Sequence, residues 1–167
     1  MSTAPRTPRI VVAICGAALI AAYSVTAGLQ ILLWNPLAAV PGRTLPQIRA
    51  AMEAAGEHLA TVPVLIFLSI GPALAIAVLV LAATGLLPDA PTVAIMMLGI
   101  LVAGAPTYFV ASFGPGMALA DAFLISGGDH AGWAGLLYAV SAAALVAMPL
   151  IGLVGYLRSR RAASRSA

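Results

Sequence analysis

Val62–Leu87 (VPVLIFLSIGPALAIAVLVLAATGLL), Pro88–Pro91 (PDAP) and Thr92–Phe113 (TVAIMMLGILVAGAPTYFVASF) decide the fold. Neither long run contains Asp, Glu, Lys, Arg or His. Each reaches the length of roughly 20 helical residues that crosses a hydrocarbon core of about 30 Å. One charge at the bilayer centre costs about 2.5–3.5 kcal/mol on insertion scales, whereas a water-soluble core gives no reason to exclude charge so thoroughly. The connection between the runs is so short that the two spans are expected to be antiparallel neighbours.

Ile10–Trp34 and Trp133–Leu157 repeat the pattern on either side. The reading is an all-α integral membrane four-helix bundle. It forms a single domain over 1–167, with spans at about 10–34, 62–87, 92–113 and 133–157. Hydrophobic residues make up 62% of the chain and charged residues 8%, with mean hydropathy +1.08. A soluble core is excluded, and the spans leave no room for a soluble catalytic module.

The net charge is +3, and all of the basic charge comes from arginine, since the chain has no lysine. Arg6 and Arg9 precede the first span, Arg158, Arg160, Arg161 and Arg165 follow the last, and Arg43 and Arg49 lie in the first long loop. By the positive-inside rule both termini are expected in the cytoplasm, with both long loops outside. The terminal arginines are too few, and too free of interleaved aromatics, for a nucleic-acid arm; attraction to anionic lipid headgroups accounts for them. The alanine-rich, lysine-free composition points to a bacterium, hence to the cytoplasmic (inner) membrane. Val25-Thr26-Ala27 resembles a signal-peptide cleavage site, but hydrophobicity resumes at Leu29 and the segment is read as a retained span. Cys15, the only cysteine, is expected to be a small buried apolar group.

Between the first two spans, Thr44 and Gln47 have capping-box spacing around Pro46. Leu45, Ile48, Met52, Ala55 and Leu59 then form one apolar stripe. Gln47, Arg49, Glu53, Glu57 and His58 fill the remaining surface. This predicts an amphipathic helix over about 45–60, roughly four turns, in the first extracytoplasmic loop and packed on the bundle. Gly114-Pro115-Gly116 is expected to stop the third span, leaving 117–125 as a separate interfacial or re-entrant helix. Asp89 or Thr92 is expected to cap the third span and Asp129 the fourth. Trp34, Trp133 and Tyr156 read as interfacial anchors.

Candidate functional residues are few. Pro72, Pro106 and Pro149 are read as helix kinks inside spans two, three and four. Tyr23, Thr26 and Gln30 form a polar stripe that, with Tyr108, either lines an outward-facing vestibule or hydrogen-bonds between helices. Ala17, Ala21, Ser24 and Gly28, then Ser69, Ala73 and Ala77, then Thr92, Met96, Gly99, Ala103 and Thr107, are stripes expected to mediate close helix packing. Glu57, His58, Asp129 and His130 could meet across the loops as metal ligands, although a helix cap and a solvated face account for them and no metal is assigned. No ionisable group sits at mid-membrane, which counts against an ion-coupled pump. No nucleophile constellation or phosphate loop is present, so no catalytic residue or cofactor is assigned.

The expected function is a non-enzymatic accessory or assembly subunit of a membrane complex, its partners the bilayer and either another membrane protein or further copies of itself. The alternatives are a small transporter or channel subunit and an extracytoplasmic metal-binding protein.

Overall fold

The computed structural model describes the backbone of residues 6–165 and the side chains of residues 7–157. The side chains of Arg6, Arg158, Arg160, Arg161 and Arg165 lie outside the described residues. Every described element is helical: α1 (Arg6–Leu29), a π-helical turn (Gln30–Trp34), α2 (Asn35–Ala39), α3 (Leu45–Ala54), α4 (Thr61–Thr84), α5 (Ala90–Phe123) and α6 (Trp133–Arg165). Four stretches are long and apolar enough to cross a membrane: Thr7–Ala39, Thr61–Thr84, Ala90–Phe123 and Trp133–Leu157.

Element ends depart from the sequence reading for local reasons. Among the described residues, α1 runs from Arg6 and includes Pro8. α4 ends at Thr84 rather than Leu87, because Gly85 adopts φ +89 and the Leu86 N–H reaches back to the Leu81 carbonyl at 3.1 Å. α3 likewise ends at Ala54, well short of residue 60. Gly56 takes φ +80, its N–H donates to the Glu53 carbonyl (3.0 Å), and the Glu57 N–H donates to Met52 (2.8 Å). Glycine holds this left-handed C-terminal turn without the steric cost that a Cβ imposes.

The starts of α3 and α5 follow the expected chemistry. The Thr44 N–H donates to Gln47 Oε1 at 2.9 Å, completing the capping box of α3. Asp89 Oδ1 accepts the Thr92 N–H at 2.9 Å and caps α5. Bonding to the Thr92 side chain, and then to its N–H, holds the Asp89 carboxyl below the usual aspartate range. The sign follows: stabilisation by this cap is complete above the ordinary aspartate pKa and is lost as pH falls through the depressed value. Asp89→Ala is expected to lower stability by about 1 kcal/mol, read by thermal unfolding in detergent micelles.

Gly114-Pro115-Gly116 does not stop the third long helix; α5 runs unbroken from Ala90 to Phe123. Pro115 removes only its own bond to the Ala111 carbonyl, and the far end of the helix is held by burial. Ala118 and Leu119 pack with Ile48, Met52 and Leu59 in one apolar cluster bordered by Leu32, Val40, Leu45, Ala122 and Phe123. α5 finally ends at Leu124, a leucine at φ +55, with the Ile125 N–H directed to the Ala120 carbonyl at 3.3 Å. The Leu124 side chain is 94% exposed, so its left-handed backbone costs energy with little packing in return. Leu124→Gly is therefore expected to raise stability by about 1 kcal/mol, visible as a higher melting temperature. Pro72, Pro106 and Pro149 also lie inside unbroken helices.

The chain falls into two compact units, each drawing on all four long helices: residues 1–21, 71–103 and 140–167 in one, and residues 22–70 and 104–139 in the other. In the first unit, Met97 of α5 fills a notch over Gly16 of α1, where a Cβ would lie 2.5 Å from Met97 Cγ. Ser141 Oγ of α6 donates to the Leu101 carbonyl at 2.8 Å. Arg9 is buried rather than turned to solvent. Its Nη1 donates to the Leu87 carbonyl at 3.0 Å, which ties the start of α1 to the segment after α4, while its Nε is buried without a partner.

The second unit contains the apolar cluster under α3, the corresponding notch of Gly104 against the Tyr23 ring and the Trp34–Trp133 pair, with centroids 5.3 Å apart. The expected small stripes coincide only in part with the packed faces: Ala17, Ser24, Gly28, Thr92, Gly99 and Thr107 are half-buried. Ala21, Ala73, Ala77, Ser69, Met96 and Ala103 are exposed, while α1 buries Ala13, Gly16, Ile20, Tyr23 and Ala27. α4 buries Val64, Leu68, Ala75, Val78 and Ala82. Cys15 is exposed too, against expectation. When nearly every face of a helix is apolar, hydropathy does not choose the packed one; steric fit does.

Candidate functional site

The polar residues of the second unit converge on one loop. Gln30, Asn35 and Tyr108 are buried at relative exposures of 0%, 6% and 0%, and each holds one of three consecutive residues between α5 and α6. The Tyr108 hydroxyl donates to Asp129 Oδ1 at 2.6 Å. Asn35 Oδ1 accepts the His130 N–H at 2.6 Å. Gln30 Nε2 donates to the Ala131 carbonyl at 3.0 Å. The loop also braces itself, with His130 Nε2 3.0 Å from the Ser126 carbonyl.

Local structure sets these side chains in place. Pro36 has no N–H, and its ring crowds the Leu32 carbonyl. The chain accommodates this by widening into the π-helical turn, in which the Asn35 N–H bonds to the Gln30 carbonyl. That turn carries Gln30 and Asn35 into the interior together. The Gln30 amide orientation is fixed, because a carbonyl accepts only and Nε2 must face Ala131. Its Oε1 remains buried without a partner. On α5, the Tyr108 ring meets Tyr138 edge-on with centroids 5.6 Å apart.

Close backbone approach secures the other end of the loop. A Cβ on Gly116 would lie 2.5 Å from the Gly127 carbonyl oxygen, so the helix and the loop touch backbone to backbone there. Beside this contact, Asn35, Ser112, Asp129 and Tyr138 help line a cleft of ≈ 140 Å³. Arg43 stands over the Phe123 ring, its guanidinium carbon 5.5 Å from the centroid, which holds the 40–44 turn to the end of α5.

Tyr23, Gln30 and Tyr108 are thus all buried, two of them in loop-holding hydrogen bonds and the first in the Gly104 notch; Thr26 is only half-buried. Asp129 serves as the partner of Tyr108. Glu57 and His58 line a separate cleft between α3 and α4. Among the described residues no three His, Cys, Asp or Glu side chains come together as metal ligands. Sequence reading missed Asn35, whose partner is 95 residues away; the one local signal was an amide between Trp34 and Pro36 inside a run that stays helical. No protein-family model, curated protein or solved structure matches the chain.

Proposed function

We propose that this chain is a non-enzymatic subunit of a complex in a bacterial cytoplasmic membrane, crossing the bilayer four times with both termini in the cytoplasm. Large apolar side chains point outward along all four long helices, among them Val25, Ile66, Val110 and Val146 at 62%, 60%, 52% and 62% exposure, a surface that lipid or a membrane partner covers and water does not. The distribution of arginines between the tails and the first long loop supports the orientation. The observation that carries the subunit reading is the burial of Tyr23, Gln30 and Tyr108. These residues would have to face water in a vestibule; instead they fill the helix packing and hold the loop. Purification through an affinity tag in mild detergent, followed by native mass spectrometry, is expected to yield a stoichiometric membrane-protein partner or a defined homo-oligomer. A bare monomer under those conditions overturns the reading.

A small transporter or channel subunit is the second reading, supported by the polar cleft beside Asp129. Thr26→Cys and Thr107→Cys in a Cys15→Ala background separate the two. Full protection from a membrane-impermeant thiol reagent supports the packed subunit, and rapid labelling of both positions supports a path.

A further inference from the structure

We propose that the cleft between α3 and the start of α4 binds the headgroup of a phospholipid carrying both a phosphate and a primary ammonium. The proposal rests on the chain lying in a bilayer, but not on its being a subunit of a complex. The cleft has a volume of ≈ 350 Å³, and Arg49, Glu53, Glu57, His58, Met52 and Leu59 are among its lining residues; that size falls in the usual range of about 300–1,000 Å³ for small-molecule sites.

Two features define the occupant. The first is charge of both signs with no partner elsewhere among the described residues. Arg49 and Glu53 share a face of α3 at a spacing of one turn, and Glu57 and His58 follow directly after the Gly56 turn. Among the described residues, none of these four side chains is engaged in an ion pair or a hydrogen bond, although all line one cleft. A ligand with an anionic and a cationic group satisfies both sets at once. A purely anionic headgroup meets two glutamates, and a metal ion meets an arginine.

The second feature is position. The cleft lies at the first turn of α4, where the span Thr61–Thr84 begins, beside the outward-facing Val62, Leu65 and Ile66. A headgroup held there leaves its acyl chains against an apolar helix face. No Phe, Tyr or Trp ring lines the cleft, so a quaternary ammonium, which is recognised through the faces of such rings, gains little. A primary ammonium instead donates hydrogen bonds to Glu53 and Glu57, and Arg49 and His58 donate to the phosphate.

The test uses the full chain in nanodiscs of equimolar dioleoyl phosphatidylethanolamine, phosphatidylcholine and phosphatidylglycerol, with retained lipid counted by native mass spectrometry. Phosphatidylethanolamine is expected to be retained about tenfold over the other two, as charge-assisted hydrogen bonds at both ends imply. Arg49→Gln and Glu53→Gln, both exposed on α3 and so able to fold normally, are each expected to return the ratio to that of the bulk mixture. Equal retention of the three lipids overturns the proposal, as does a preference that survives both substitutions. Displacement of the lipid by millimolar soluble phosphoethanolamine overturns the lipid as occupant. A chain that remains soluble without detergent refutes the membrane reading itself, which is a separate failure.

Discussion

Tyr108→Phe is expected to lower stability by about 2 kcal/mol and to loosen the loop between α5 and α6, because it removes one hydroxyl and leaves everything else in place. The ring keeps its edge-on contact with Tyr138, so no cavity forms. What is lost is a 2.6 Å bond to a carboxylate. Interhelical hydrogen bonds in membranes average about 0.6 kcal/mol, whereas bonds to charged groups contribute about 1.5–3 kcal/mol. Asp129 is open to solvent on its other side and can recover part of the loss from water, which sets the value near the middle of those figures. Gln30→Leu is expected to cost less. It forfeits the bond to Ala131 but also removes the buried, unpartnered Oε1, and burying an unanswered amide oxygen is itself unfavourable. Unfolding in mixed detergent micelles gives the ranking. A double-mutant cycle of Tyr108→Phe with Asp129→Ala should show coupling of about 1–2 kcal/mol; additivity of the two changes would refute the bond's role in holding the loop.

The four apolar helices were legible in the sequence because charge exclusion over the length of a bilayer is a property of each segment alone. Two helix starts were legible for the same reason: Thr44 with Gln47, and Asp89 before Thr92, are local chemistry. Helix ends were less so. The apolar run through Leu86 and Leu87 outweighed Gly85 in the reading, yet the left-handed turn at Gly85 decides where α4 stops. The packed faces were not legible. Alanine at positions 21, 73 and 77 looked like contact surface, but Gly16 and Gly104 take the large side chains Met97 and Tyr23. That choice depends on which residue of another helix arrives opposite, and no periodicity within one helix encodes it.

The polar residues themselves stood out, since Tyr23, Gln30 and Tyr108 are conspicuous in apolar runs. Their partners did not. Asp129, His130 and Ala131 lie in a loop, and two of the three bonds link residues 95 and 101 positions apart. From the sequence, Asp129 read as the cap of the last span; in the fold it accepts from Tyr108. The π-helical turn that turns both Gln30 and Asn35 inward had only Pro36 as its signal. A proline in that position more often ends a helix than widens one.

The glycines on either side of Pro115 should respond unequally to alanine. A Cβ on Gly114 would have no neighbour within 4 Å beyond its own chain neighbours, but a Cβ on the residue before a proline meets the Pro115 ring in helical geometry, which offsets the helix-propensity gain of about 0.5–1 kcal/mol. Gly116 gains the same propensity, but its new methyl would lie 2.5 Å from the Gly127 carbonyl oxygen. That neighbour is backbone and cannot rotate away like a side chain. Either α5 or the loop must shift, and overpacking of this kind costs about 1–3 kcal/mol. The clash therefore outweighs the propensity gain, and Gly116→Ala is expected to lower the melting temperature while Gly114→Ala leaves it nearly unchanged. The displacement has a second consequence, because Gly127 is two residues from Asp129 and lies in the same short loop. A loop pushed off α5 at Gly127 strains the bond to Tyr108, so Gly116→Ala and Tyr108→Phe should be less than additive in the double variant. Equal shifts from the two alanines would mean that the helix and the loop do not touch at Gly116. They would also remove the physical reason for α5 to continue past Pro115 with a glycine at this position.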